Sequence, residues 1–351
     1  MDYIEIKGYK SIKEAKVELK PINILIGANG SGKSNFISFF DFLNRVSNQS
    51  LREYIGLNGG AEKFLYQGSK ITSQISAEVS FKNHTNTYSF TVQSEDDTFI
   101  FTKELLWFND DARDFASFKP EASIKTATGY RAQYIREDLN SFKKYHFHET
   151  GKNSPFTQMS NVLNGSYIFY EDGRNLASFL HHIKQNDMII YNRIIKMIQS
   201  VAPYFSDFFL QANEEGHIRL QWQDKYSSTI YGASDLSDGT IRFIALTALF
   251  MQPKLRKSII IDEPELGLHP FAITKLAGMI KSAASRGTQV IVATQSSDLI
   301  NHFEAMDIIT VDQINGQTEF KRLHEEELAT WLEDYSIGDL WQRNILEGGQ
   351  P

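Results

Sequence analysis

The chain has 351 residues, a formal net charge of −7 and no cysteine, with 41% hydrophobic and 23% charged residues. That balance excludes a disordered chain, a disulfide scaffold, a thiolate metal centre and a global field for polyanions, so any nucleic-acid contact requires a local basic patch. No apolar run reaches the roughly 18 residues of a spanning helix, and the N-terminus lacks an apolar signal core, which points to a cytoplasmic protein with no membrane segment.

Residues 2–26 alternate, with Ile4 and Ile6, then Val17 and Leu19, then Ile22, Ile24 and Ile26 on the apolar positions. This predicts three strands entering a loop, and the lysines at 7, 10, 13, 16 and 20 read as the solvated face of that meander. The loop, Gly27-Ala-Asn29-Gly30-Ser-Gly32-Lys33-Ser34, fills every fixed position of G-x-x-x-x-G-K-[ST]. Its context supports the match, because Pro21–Ile26 reads as a buried strand and Asn35–Val46 has helical spacing. Glycines let the backbone curl so that its N–H groups face a polyphosphate on the positive end of the helix. Lys33 would reach the β- and γ-phosphates and Ser34 would ligate Mg²⁺, with Asn29, Gly30, Gly32 and Asn35 completing the nucleotide-binding set.

Ser47–Gly68 reads as a polar link. Beyond it, Ile71–Phe81, Thr87–Val92 and Phe99–Trp107 alternate with period two, which predicts an antiparallel second layer. From Asn109 to about Pro155 the pattern weakens, and Tyr145-His146-Phe147-His148 is its compact cluster. Its two histidines share one strand face; with no third ligand at readable spacing, strand packing or a nucleotide-side contact is the plainer reading than a metal site. Asn175–Lys184 and Asp187–Ala202 are amphipathic helices of an inserted arm without a heptad register. Phe208–Trp222 reads as one or two strands.

The C-terminal part opens with Ser234–Thr240 and a helix over Ile241–Phe250, then a strand, Lys257–Ile261, that ends in Asp262-Glu263-Pro264-Glu265. A helix over Phe271–Ser285, a buried strand over Gln289–Ala293, strands over Met306–Val311 and Glu319–Leu323, and helices over Glu325–Asp334 and Ile337–Leu346 follow; Gly348–Pro351 reads as frayed. The predicted divisions are 1–107, 108–229 and 230–351. Nucleotide hydrolysis needs a metal shell and a group that deprotonates water. Asp262, at a buried strand end, suits the Mg²⁺ shell, and Glu263 suits a general base facing the γ-phosphate. Glu265 reads as a supporting or interfacial carboxylate.

Gly27–Ser34, Leu236–Thr240, Ile261–Pro270 and Ala293–Ser296 resemble, in order and spacing, the Walker A, signature, Walker B with D-loop, and switch segments of an ABC-type ATPase head. The resemblance is to the SMC and RecF-like branch, specifically the small AAA-family ATPases with the split head seen in OLD-family proteins, and it covers about 1–107 and 230–351. It implies an α/β P-loop NTPase with an antiparallel β layer and a helical insertion, binding ATP and Mg²⁺ and hydrolysing ATP. It further implies a homodimer that sandwiches two ATP molecules, with Ser237 and the Gly239 amide of one copy on the γ-phosphate held at Lys33 of the other. Lys10-Ser11 resembles the turn that this branch places near the nucleotide. Two departures matter: the signature is LSDGT, and the switch position usually held by histidine is Gln295, which orients water but carries no proton, so turnover is expected to be slow. Gln158 takes the position of the metal-contacting glutamine that follows the strand in such heads.

Heads of this family serve antiphage defence or DNA repair beside a separately encoded effector, so the resemblance implies an effector partner from the same operon and leaves DNA open as a ligand. Two alternatives stand beside the ATPase switch: a scaffold that holds a toxin inactive with little turnover, and an OLD-like DNA nuclease. The nuclease reading is weakened because only about 50 residues follow Asp298, few for a metal-dependent nuclease domain.

Overall fold

All five residues of the strand Ile22–Ile26 are buried, because it is paired on both sides. Gln289–Thr294 runs parallel to it with Val290 opposite Ile22 and Thr294 opposite Ile26, and Ile308–Ile314 runs parallel on the other side with Thr310 opposite Ile26. Ile308–Ile314 then turns back on Gln317–Arg322 through Asn315 and Gly316, both at positive φ (52° and 79°), as a two-residue hairpin turn requires. These strands belong to a six-stranded sheet in which Ser258–Asp262 follows Gln289–Thr294.

The computed structural model describes residues 1–109, 111–115, 118–164 and 166–346. It divides into two compact units: residues 1–144, 257–260 and 289 onward, and residues 145–256 with 261–288. The chain thus passes from the first unit to the second inside the strand Ser258–Asp262. This differs from the contiguous division at 107 and 229, since parallel pairing places Gln289–Thr294 beside the loop strand, in the same unit as the loop. Gly348–Pro351 lies outside the described residues.

In the first unit, the hairpin Tyr3–Tyr9 and Ile12–Glu18 belongs to the antiparallel sheet, ordered Ile12–Glu18, Tyr3–Tyr9, Gln74–Phe81, Asn86–Glu95, Thr98–Phe108, Asp111–Asp114. Of the three predicted N-terminal strands, therefore, the third alone enters the parallel sheet. Helix Lys33–Asn48 buries Phe36, Ile37, Phe39, Phe40, Phe42, Leu43 and Val46, joining side chains of both sheets in one core. Phe39 meets Tyr9 edge-on at 4.7 Å and Phe42 stacks on Phe90 at 6.2 Å, fixing the helix by ring packing as well as area. Two helices, Leu51–Leu57 and Tyr130–Ser141, lie in stretches without a periodic apolar signal. The first inserts Leu51 and Ile55, one turn apart, and the second Ala132, Ile135 and Leu139.

The second unit is helical, with Leu176–Asn186, Met188–Val201, Asp238–Met251 and Pro270–Ser285. Asp187 caps the second of these by accepting from the Ile190 N–H at 3.0 Å. A small antiparallel sheet orders Phe205–Phe208, Gln221–Asp224 and Ile230–Gly232. Helix Asp238–Met251 is buried continuously from Ile241 to Phe250. No helix among the described residues is long and apolar enough to cross a membrane.

Candidate functional site

In the first unit the loop Gly27–Ser34 is held in a curl by contacts from the hairpin. A Cβ on Gly32 would lie 2.1 Å from Thr318 Oγ1, and Gly32 itself sits at φ 111°, where side chains are strained. A Cβ on Gly27 would lie 2.2 Å from the Val311 carbonyl oxygen. Thr318 is the centre of the clamp: its hydroxyl donates to the Ser31 carbonyl at 3.0 Å and shares a hydrogen bond with the Ser11 hydroxyl at 2.7 Å, and its N–H donates to the Ser11 carbonyl at 2.8 Å. Asn35 Nδ2 donates to the same Ser11 Oγ at 2.7 Å. The structure thus brings Ser11, Asn35 and the loop together through Thr318, which sequence reasoning missed, since nothing in the sequence marks which hairpin residue meets the loop.

The Lys33 ammonium donates to the Gly27 and Ala28 carbonyls at 2.6 and 2.9 Å, so its side chain folds over the loop, while Ser34 is exposed at the helix start. Lys10, in the left-handed region at φ 48°, donates to Ser38 Oγ at 3.0 Å and lies over the Phe64 ring. Burial, with Lys144 adding repulsion, holds its ammonium below the ordinary lysine range. A cavity of about 580 Å³ lined by Lys10, Ser11, Asn35, Phe64, Gln67 and Gln313 opens beside the helix start. Because Thr294 pairs with Ile26, Gln295 leaves its strand level with Gly27, half-buried. A polyphosphate fits this loop: Gly30 and Gly32 have positive φ, it opens a 16-residue helix, it carries Lys33, and the buried Ser31 Oγ has no hydrogen-bond partner among the described residues.

In the second unit, Asp262 ends its strand and Glu263 opens the following turn at φ 43°, a position that costs a non-glycine residue about 1–3 kcal/mol. The turn closes with the Leu266 N–H on the Glu263 carbonyl at 3.3 Å and the Leu268 N–H on that of Glu265 at 2.9 Å. Ser237 caps helix Asp238–Met251 by accepting from the Thr240 N–H at 3.2 Å. A Cβ on Gly239 would lie 2.4 Å from the Gly267 carbonyl oxygen, so the helix start rests directly on the acidic turn. Of the predicted residues, Gly239 thus meets the turn that follows Asp262 and Glu263. His146 and His148 are exposed while Tyr145 and Phe147 are buried, in line with the alternation. Burial holds the His148 imidazole below the ordinary histidine value, while Asp262 and Glu263 pull it up and Arg242 pushes it down. Gln158 is exposed just after the short turn Pro155–Thr157. No cluster of three or more His, Cys, Asp or Glu side chains placed to hold a metal occurs among the described residues. The carboxylate end of a strand running out of a parallel sheet, with Asp262 as an oxygen donor, nevertheless suits a hard cation that keeps most of its water shell.

A glycine-rich loop that follows a buried strand of a parallel sheet and opens a buried helix defines a P-loop NTPase fold. The structure resembles an Smc head bound to the C-terminal winged-helix domain of ScpA (TM-score 0.62, 16% identity, covering 94% of this chain and 99% of that one). It also resembles an Smc head domain with an extended coiled coil, bound to the C-terminal domain of ScpA, from Pyrococcus furiosus (TM-score 0.58, 15% identity, 95% and 98% covered). A comparison with curated proteins found no match by sequence. Residues 22–301 match the family described as "AAA domain, putative AbiEii toxin, Type IV TA system", and the chain belongs to that family.

Proposed function

We propose that this chain binds and slowly hydrolyses ATP and that the nucleotide drives two copies together. The observation that carries the reading is the phosphate loop, whose curl is enforced at Gly27 and Gly32 by the strands that carry Val311 and Thr318; within the second unit, Glu263 stands half-buried in a strained turn after Asp262. Strain of this kind persists where the surroundings over-determine it, which is typical of working sites. ATP supplies the γ-phosphoryl group that passes to water, and Mg²⁺ neutralises the charge that develops.

The chain's own residues would divide the work as follows. The amides from Asn29 to Asn35 and the Lys33 ammonium hold the β- and γ-phosphates, Lys10 and Ser11 lie on the side of the ribose and base, and Ser34, Asp262 and Gln158 hold the metal shell. Glu263 takes the proton of the attacking water, and Gln295 orients that water by hydrogen bonds without accepting its proton. Ser237 and the Gly239 amide of the second copy donate to the γ-phosphate, so dimerisation completes the site. The amide at Gln295 also favours the second reading, an ATP-bound scaffold with little turnover. The family description, which names a putative toxin of a toxin–antitoxin system, supports a protein effector as partner, and we place the switch in antiphage defence or DNA repair as part of the same proposal.

The test is the mass in solution of wild type and Glu263→Gln, with and without ATP and Mg²⁺, followed by turnover on the same samples. ATP-dependent dimers that Glu263→Gln traps, with turnover reduced about a hundredfold or more, are expected. A mass indifferent to ATP together with unchanged turnover of Glu263→Gln would refute the switch.

A further inference from the structure

Arg242 is the one charged side chain in the buried run Ile241–Phe250, and it is 6% exposed. A buried guanidinium must be satisfied, and here its donors go to main-chain carbonyls rather than to a carboxylate. Nε donates to Phe147 O at 2.9 Å, Nη2 to His148 O at 3.2 Å, and Nη1 to Leu266 O. Burial lowers the affinity of this group for its proton, with Asp238 opposing the shift, and at neutral pH it remains a cation.

The three acceptors come from two separate segments. Phe147 and His148 lie in the histidine-bearing extended segment. Leu266 lies in the turn whose N–H at that same residue closes on the Glu263 carbonyl. The helix that carries Arg242 begins at Ser237, and its Gly239 rests on the Gly267 carbonyl. The guanidinium thus ties the His148 main chain to the turn that Glu263 opens, through the His148 and Leu266 carbonyls. A planar fork with fixed angles holds both segments in a single arrangement; a lysine ammonium has its three donors on one atom and cannot span acceptors set out for Nε, Nη1 and Nη2.

We propose that Arg242 is a positioning residue that couples the helix start at Ser237–Gly239 to Glu263, so that a phosphate engaged at Ser237 fixes the acidic turn in its working geometry. The inference rests on the ATPase reading above. It adds a route by which the arrival of a second copy sets the base, running from the cap through Gly239 and Gly267 and from Arg242 through Leu266 to Glu263. The coupling lies within one unit of one chain.

Three variants test it: Arg242→Met, which keeps the side-chain bulk and removes every donor; Arg242→Lys, which keeps the charge; and, as a supporting variant, Gly267→Ala, whose Cβ would lie 2.8 Å from Arg242 Nη1 and which at φ 74° also strains the turn itself. In nucleotide-free protein, amide hydrogen exchange should quicken together at 147–148 and 263–268 in Arg242→Met, and by less in Arg242→Lys. In turnover, kcat should fall about tenfold to a hundredfold with KM nearly unchanged, as displacement of a base predicts. Gly267→Ala should show the same split. On the Glu263→Gln background Arg242→Met should add little, because the two act through one group. Unchanged exchange at 263–268, or losses that multiply on the Glu263→Gln background, would overturn the proposal. If wild type turns over no ATP, the ATPase reading fails, while paired loss of protection in the two segments still decides whether Arg242 holds them.

Discussion

The loop Gly27–Ser34 is gripped from outside its own helix, by the Thr318 hydroxyl, the Val311 carbonyl and the hydroxyl of Ser11, whereas Ser237 and Asp238 at the start of Asp238–Met251 are exposed and held by their own cap. Both are helix N-termini with donors available to an anion, yet the first has its backbone shape enforced by a separate hairpin and the second rests on a single turn at Gly267. The phosphate loop must be preformed because the charge it receives is large and its backbone conformation is one that unaided residues avoid. A helix start whose ligand would arrive with another molecule needs donors at the surface and a link inward, the role proposed for Arg242.

The contrast is broken most severely at Gly32. Gly32→Ala places a methyl at φ 111° and 2.1 Å from Thr318 Oγ1, adding backbone strain to an overlap that neither the loop nor the hairpin can yield easily. A loss of about 3 kcal/mol in stability is expected from those two costs, read in a denaturant titration. Thr318→Ala in the same chain should recover part of it by removing Oγ1 and Cγ2. A Gly32→Ala protein that unfolds at the wild-type midpoint would show that the hairpin does not clamp the loop. Lys33→Ala comes next: it removes a charged donor from the phosphates, so ATP affinity measured by fluorescent-nucleotide titration should fall by about 1.5–3 kcal/mol, roughly ten- to a hundredfold, with the fold intact.

The strand Ile22–Ile26, the loop and the helix after it were legible because the apolar period changes from two to 3.6 across a motif with few alternatives. Asp262 and Glu263 were legible for a related reason, as carboxylates that end an otherwise apolar strand. Leu51–Leu57 and Tyr130–Ser141 were not, since each buries two or three apolar residues on an otherwise polar helix, too short a stripe to stand out from a link. Thr318 could not be found at all from the sequence, because its contact with Ser11 joins residues 307 positions apart. Arg242 did leave a trace. A single charge inside ten consecutive buried residues asks where its donors go, and that question alone points to a built contact.

The smallest expected change separates the two roles of the Ser237 hydroxyl. Ser237→Ala removes the acceptor for the Thr240 N–H and should cost about 1 kcal/mol of stability through the lost cap. Such a loss would also weaken any ATP-driven dimer, so that variant alone does not tell capping from phosphate contact. Ser237→Asp does, because aspartate caps a helix as well as serine does but sets a negative charge against the γ-phosphate of a second copy. Stability should therefore stay near that of wild type, and monomeric ATP binding at Lys33 should be unaffected, while sedimentation with ATP and Mg²⁺ should show the dimer lost. If Ser237→Asp still dimerises with ATP, the exposed helix start does not meet the nucleotide, and its contact with Gly267 serves the fold of the second unit alone.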